Sequence, residues 1–329
     1  MKMRKQWKSE MLIESPWIKE IPAHTIYGAM MDASKDYTQY FKKKNNEKTS
    51  KPKCSRKKQR SFYILGNAIT EKGIYSRLLG EMKSYEKIPD KPSDSRILYI
   101  NRKWYLRIPV KKTCTISESQ GRVVSIDPGV RTFLTCFSDK SITKIGEGQF
   151  QRIFKLLLSA DKLKSKISGL KGKQKYRTKL AFSKMLRRIQ TLVDDMHYQS
   201  ISWLTNNFDV IIFPEGDFTG AIEKGKRKIR SKTVRSLMTW AMARFRDRLR
   251  DKCELMGKHF IIQEESYTSK TANWTGEIKN IGGAKIIKSG GMSVDRDING
   301  ALGITLKALL AQPAVQTGSL HLLTNINEK

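Results

Sequence analysis

Between Gly121 and Ala311 the chain alternates short apolar runs with long amphipathic stretches, and the order of these segments restricts the fold more than any single residue does. The runs "RVVSID", "TFLTCFS" and "SITKIGE" follow one another with very short connections, which predicts a three-stranded antiparallel meander. Residues 150–206 then read as helix interrupted near "SGLKGKQ", hence a helical hairpin. "FDVIIF" is a short buried strand, "VRSLMTWAMARFRDRLRDKCELMG" a single helix closed by Gly257, and "HFIIQE" a further strand. "DRDINGALGITLKALLA" is a last helix after a Gly-rich loop. This succession predicts an α/β sheet.

By pattern this is the element order of the RNase H-like nuclease fold, in which the first strand is central and the strand after the first helix is its parallel neighbour. The ends of those two strands then converge. The preceding part of the chain reads differently. The positions Ile26, Met30, Ala33, Tyr37 and Phe41 recur at helical spacing. A tract at residues 41–60 follows, with ten Lys or Arg against Glu47, too charged to pack and suited to phosphates. Next come the strand-like runs "SFYILG", "RILYI" and "KWYLRIPV", the last two joined by an "NR" turn. The expected organisation is a basic α+β nucleic-acid-binding module at 1–116, a nuclease-like domain at 117–311 with the 150–206 hairpin and an insert at 266–294, and a tail at 312–329.

Charge identifies the class of partner. With 64 Lys and Arg against 31 Asp and Glu, the formal net charge is +33, far beyond what solubility requires, and a polyanion is the expected partner. The segment 223–235 alone carries seven basic residues against Glu223, and residues 155–188 carry twelve against Asp161. From these runs Lys51, Lys53, Arg56, Lys57, Lys58, Arg60, Lys226, Arg227, Lys228 and Arg230 are candidate nucleic-acid contacts. Arg131, just past a Pro-Gly turn, either contacts a phosphate or pairs with a neighbouring carboxylate. No apolar run is long enough to span a bilayer, and "MKMRKQWKSEMLIE" lacks the apolar core of a signal peptide. No membrane association is expected, and a cytoplasmic location is, or a nuclear one in a eukaryote or its virus. The four cysteines are scattered without a C-x-x-C pair, offering neither a disulfide framework nor a thiolate metal site.

The chemistry rests on three carboxylates. Asp127 ends "VVSID" and is followed by Pro128-Gly129, so the chain turns away and leaves the acid accessible. "IIFPEGDF" brings Glu215 to the end of the neighbouring strand, and "DRDING" brings Asp297 to the start of the last helix. Three such acids, 88 and 82 residues apart, suit two Mg²⁺ or Mn²⁺ ions that act on a phosphodiester. Each also has a plain structural role open to it: Asp-Pro-Gly is a common turn, Asp217 competes with Glu215, and Asp295 competes with Asp297 as either could cap the helix. His197 and Asp194 lie three apart on one helix face, where a structural hydrogen bond is expected over a metal pair.

"SIDPGVRTFLT", "IIFPEGDF", "SYTSKTANWTGEIK" and "DRDINGALGI", in this order and spacing, resemble the OrfB/TnpB proteins of insertion sequences, their Fanzor relatives and the compact type V CRISPR effectors. The resemblance runs from about Trp17 to Ile304. It implies a transposon-associated, RNA-guided DNA endonuclease with a RuvC-type site, with DNA and a guide RNA as partners and Asp127, Glu215 and Asp297 as catalytic metal ligands. The basic module would correspond to the family's recognition and wedge regions. Two departures stand out. The family's "W-x-K-x-I-P" stretch begins here at Trp17, from which an incomplete wedge is an expectation. The family's four-cysteine zinc ribbon is degenerate: Ala272, Thr275, Ser289 and Met292 stand where the cysteines would, and residues 266–294 hold neither Cys nor His. No zinc is expected, and Trp274, Ile278, Ile281, Ile286 and Ile287 are expected to hold the insert by packing. A relative that binds nucleic acid without cutting it is the alternative; a strand-transfer transposase would use similar acids.

Overall fold

The structure is a computed structural model that describes residues 15–44, 60–100, 102–113, 121–216, 231–264, 268, 270–279 and 284–311. The chain divides into two compact units, Met1–Lys111 and Lys112–Lys329. In the first, helix α1 (Ala23–Lys44) precedes strand β1 (Arg60–Ile64), the short ladder of β2 (Ile69–Thr70) and β3 (Gly73–Ile74), the single helical turn α2 (Ser76–Leu79), and strands β4 (Ser95–Ile100) and β5 (Lys103–Arg107). The sheet runs β1-β4-β5, antiparallel throughout. Its core is Ile64, Ile69, Ile74 and Ile97. Only the first half of α1 is seated: Gly28 lets Tyr63 approach so closely that a Cβ would lie 2.5 Å from that of Tyr63, and Asp32 pairs with Arg96. Tyr37 and Phe41, further along the same helix, are exposed.

The second unit opens with strands β6 (Val123–Pro128), β7 (Leu134–Phe137) and β8 (Ile142–Ile145), the antiparallel meander expected from the sequence. Helices α3 (Gln149–Gly169) and α4 (Gly172–Asn207) form the hairpin, parting where Leu170 and Lys171 turn extended. Strand β9 (Val210–Pro214), helices α5 (Ser231–Trp240) and α6 (Met242–Leu255) and strand β10 (His259–Gln263) follow. Two small ladders come next, β11 (Thr271–Ala272) with β12 (Glu277–Ile278) and β13 (Ile286–Ser289) with β14 (Met292–Asp295), and then helix α7 (Arg296–Ala311). The main sheet has the order β10-β9-β6-β7-β8, so β6 is central, parallel to β9 on one side and antiparallel to β7 on the other.

Burial on both faces explains why β6 and β9 are apolar almost throughout. Val124 and Ile126 of β6 and Ile211 and Phe213 of β9 join Phe133, Trp240, Phe245, Leu249 and the apolar stripes of α3 and α4 on one face. The alternate residues Val123, Val210 and Ile212 meet Ile304 and Ala308 of α7 on the other. Asp209, just before β9, is buried, and Lys258 neutralises it at 2.6 Å.

One element departs from the periodicity. The stretch expected as a single helix up to Gly257 breaks at Ala241, which takes a left-handed conformation with φ 49°. Alanine is the best helix former, so local preference did not decide this; tertiary bonding did. The break frees the carbonyl of Trp240, which accepts a hydrogen bond from His197 Nε2 at 2.8 Å. His197 is fully buried and stacked on Phe133, and its Nδ1 accepts from Arg248, which also pairs with Asp194 at 2.8 Å. Asp194 and His197 are thus tied through an arginine, as a structural pair. Burial is the main cause of lowering the His197 imidazole from 6.5 to about 4, against the pull of the Trp240 carbonyl.

Two stability measurements follow from this corner. Glycine adopts the left-handed region freely, so Ala241→Gly should leave the melting temperature unchanged or raise it, by up to about 1 kcal/mol of stability. The same change at Ala181, exposed in the middle of α4, should cost about 1 kcal/mol. For His197, folding favours the neutral ring, and the unfolded chain protonates first as pH falls. Its contribution is therefore complete above about 6.5 and is lost between about 6.5 and about 4. Denaturant titrations of the protein and of His197→Gln should differ in pH slope within that window, the variant being flatter. Equal slopes would show that the ring does not change charge there.

Candidate active site

The alternation along β6 decides where Asp127 points. Val123 packs against α7, and Ser125 Oγ donates to Ala301 O of the same helix at 2.7 Å, so Asp127, two residues further, also faces α7. The approach is close. At Gly300 a Cβ would lie 2.6 Å from Asp127 Oδ2, so any larger residue would push the carboxylate from its present place, and glycine lets it rest on the helix. Asp297 stands in the first turn of that helix, three residues before Gly300. The two acids, distant in sequence, thereby share one end of the sheet–helix layer.

Asp295 and Asp297 differ in their partners. Asp295 accepts the backbone N–H of Asp297 at 2.9 Å and pairs with Lys144 Nζ at 2.7 Å. Burial pushes the Asp295 carboxyl up, but the Lys144 ammonium and the backbone donor outweigh it and hold it below the ordinary range. It is a capping residue. Asp297 behaves oppositely: burial first, then the negative charge of Asp295, raise its carboxyl, while Arg296, Lys144 and Arg131 pull it back. Arg131, exposed beyond the Pro-Gly turn, thus contributes positive charge at this acid.

Glu215 directly follows β9, whose residues pair in parallel with β6 from Val123↔Val210 to Ser125↔Ile212. It is exposed, its backbone N–H donates to Gln263 O at 2.9 Å and its carbonyl accepts from Arg246 at 3.3 Å. The three acids supply only carboxylate oxygen, the donor type that suits Mg²⁺ or Mn²⁺, and Asp127 lies against Gly300 on the helix whose first turn carries Asp297. Among the described residues, however, no three Asp, Glu, His or Cys side chains gather closely enough to hold a metal ion. Cys136 and Cys253 are buried, and burial pushes both thiols up to about 12, which keeps them protonated.

Most of the expected nucleic-acid contacts lie outside the described residues: Lys51, Lys53, Arg56, Lys57, Lys58, Lys226, Arg227, Lys228 and Arg230. Arg60 begins β1, with its side chain outside the description. The insert at 266–294 differs from expectation. Ile287 and Ala272 are buried, but Ile278 and Ile286 are exposed, so packing alone does not hold it, and Ile281 lies outside the described residues. Hydroxyls take part instead: Thr275 Oγ1 meets Ser289 Oγ at 2.8 Å, and Ser289 donates to Glu277 at 2.5 Å. Asn273 and Asn299, which join this insert to α7, were not singled out from the sequence. The available signal was the pair of glycines, Gly300 and Gly303, within an otherwise strong helix, where each costs roughly 1 kcal/mol unless something must approach.

Residues 243–304 match the family described as Cas12f1-like, TNB domain. A putative transposase of Paramecium bursaria Chlorella virus 1 is 29% identical over 246 residues, 72% of this chain and 55% of its own. A TnpB-like protein of Acanthamoeba polyphaga mimivirus is 26% identical over 301 residues, 86% of this chain and 57% of its own. The chain is related to the TnpB/OrfB family. It spans about half the length of these viral relatives. A Cas12f1 chain solved by cryo-EM with sgRNA and target DNA aligns with a TM-score of 0.47 and 16% identity, over 65% of this chain and 45% of that one. Among the described residues, no helix is long and apolar enough to cross a membrane.

The different duties of Asp295 and Asp297 predict opposite effects on stability. Asp295→Ala removes a cap and an ion pair and should cost about 1 kcal/mol or more. Asp297→Ala removes a buried charge beside another and should be neutral or stabilising by thermal melting. A larger loss in Asp297→Ala than in Asp295→Ala would reverse the assignment.

Proposed function

We propose that this chain is a metal-dependent DNA endonuclease of the RuvC type, guided by an RNA, with Asp127, Glu215 and Asp297 as its metal ligands. The observation that carries the reading is the contact of the Asp127 carboxylate with Gly300, one turn from Asp297. An acid drawn onto a helix end beside a second, destabilised acid is an arrangement that stability alone does not favour. Two divalent ions bound there would activate a water and stabilise the leaving oxygen of a phosphodiester. Asp127 and Asp297 would hold them from the sheet and the helix, Glu215 from the adjoining strand end. Arg131, exposed beside this site, would orient the phosphate. The net charge of +33 supports binding to DNA and RNA through their backbones. The viral relatives described as transposase and TnpB-like support the mobile-element setting and nuclease activity. On this reading the first unit is the module that holds guide RNA and flanking DNA, and the protein works where the element's DNA resides.

A second reading, a nucleic-acid-binding relative that does not cut, is favoured by one observation: among the described residues no three acids are gathered for a metal. One experiment separates the two. The chain, coexpressed with RNA from its flanking locus, is assayed on target DNA in Mg²⁺ beside Asp127→Ala, Glu215→Ala and Asp297→Ala. The nuclease reading expects cleavage by the parent and a loss of at least about a thousandfold in each variant, with salt-sensitive binding retained. Binding without cleavage by the parent, or full cleavage by any variant, overturns it.

A further inference from the structure

The side of α7 that carries Asp297 is gripped from a second direction. Asn299, two residues beyond Asp297, is fully buried, and every hydrogen-bonding group of its side-chain amide is satisfied by the insert. Its Nδ2 donates to Thr271 O at 2.7 Å and to Thr268 O at 3.3 Å. Its Oδ1 accepts from Asn273 N and from Asn273 Nδ2, both at 3.0 Å. Asn273 Nδ2 also donates to the backbone carbonyl of Asn299 at 2.7 Å, within the first turns of the helix. This approach requires a bare backbone: at Gly303 a Cβ would lie 2.7 Å from Asn273 Nδ2 and 3.0 Å from Thr268 Cβ. The two glycines of α7 thus do matching work, Gly300 admitting Asp127 from the sheet and Gly303 admitting Asn273 from the insert.

Asn273 sits within a turn that the hydroxyls of Thr275 and Ser289 brace. It follows Ala272, whose carbonyl accepts from Thr275 N at 2.9 Å and Gly276 N at 2.8 Å, closing a tight knuckle. A second knuckle, Ser289-Gly290-Gly291-Met292, joins β13 to β14, and Gly290 there admits Thr275 Cγ2 to within 2.9 Å of where a Cβ would be. Thr275 and Ser289 join the knuckles, Trp274 Nε1 donates to Ser289 O at 3.0 Å, and Ser289 Oγ donates a hydrogen bond to Glu277, which Lys279 balances at 3.0 Å. Ser289 first, then Lys279, hold the Glu277 carboxyl below its ordinary range. The knuckles are therefore linked by a chain of hydrogen bonds across the place a shared metal would take.

We propose that Asn273 and Asn299 are positioning residues, through which the hydroxyl-clasped insert fixes the first turns of α7 and so sets Asp297 against Asp127. The proposal rests on the reading of those two acids as metal ligands for its consequence, though not for its geometry. Asn273 and Asn299 touch neither acid. Their effect is to stop the helix end from fraying or rotating.

The test uses the full chain without metal or RNA, as parent, Asn273→Ala, Gly303→Ala and Asn299→Ala. Hydrogen exchange is compared between amides 299–303 and amides 306–310 of the same helix. The expected result for Asn273→Ala and Gly303→Ala is about a tenfold loss of protection confined to 299–303, even if Asn299→Ala fails to fold. Binding of Mn²⁺ alone is then measured, with Asp297→Ala as the baseline. Affinity should fall by about tenfold or more in the same two variants, as loss of groups that orient ligands does elsewhere. Unchanged protection at 299–303, or a uniform loss along α7, overturns the positioning role whatever the metal data give. If the parent shows no Mn²⁺ binding beyond Asp297→Ala, the nuclease reading fails separately, and the exchange pattern alone decides the role of the pair.

Discussion

The central strand β6 is covered on both faces, and nearly everything else in the second unit depends on that. A strand with one wet face could exchange its register or carry its polar residues to either side at little cost. Here Val124 and Ile126 are committed to the core beneath α5 and α6, and Val123 and Ser125 to α7. The side-chain period of two then leaves Asp127 no choice of face. A slip by one residue would bury the carboxylate among Phe133, Trp240 and Phe245, where an unpaired charge costs several kcal/mol. Packing thus places the acid, and the acid contributes nothing to the packing.

Around this strand, polar groups divide between those whose interactions are internally satisfied and those left available. Asp209 with Lys258, Asp194 with Arg248, and Asp295 with Lys144 are paired charges that join elements together. Asn299 is saturated by the insert. Asp297 has a raised carboxyl and a like charge beside it. That contrast within three residues of chain separates a structural acid from a functional candidate more clearly than proximity does, because both sit at the same helix end.

The insert shows how two tight turns can be held together by hydroxyl hydrogen bonds. Cysteine knuckles are tight because the ligands must converge, and their backbone hydrogen bonds do not need the ion. Thr275 and Ser289 keep the convergence through a bond of 2.8 Å, while Ile278 and Ile286 remain exposed. Each hydrogen bond contributes on the order of 1 kcal/mol, far less than a structural zinc, so several must act together. Trp274, Glu277 and Lys279 supply the others.

The sequence by itself determined the order of elements, the meander, the hairpin break near Leu170 and the identity of the candidate acids. These follow from hydrophobic period and turn chemistry, which act over a few residues and are written locally. The tertiary structure alone decided that Ala241 breaks a helix its neighbours favour, because the bond it frees belongs to His197, distant in the chain. It gave Asp295 and Asp297 different surroundings, since the ion pair to Asp295 comes from Lys144 on another strand. It also added hydroxyl bonding to apolar packing in the insert, and revealed Asn299, whose side chain bonds Thr268, Thr271 and Asn273, residues that periodicity cannot bring to it. In each case the deciding energy comes from a contact between groups far apart in sequence, and no local pattern records it.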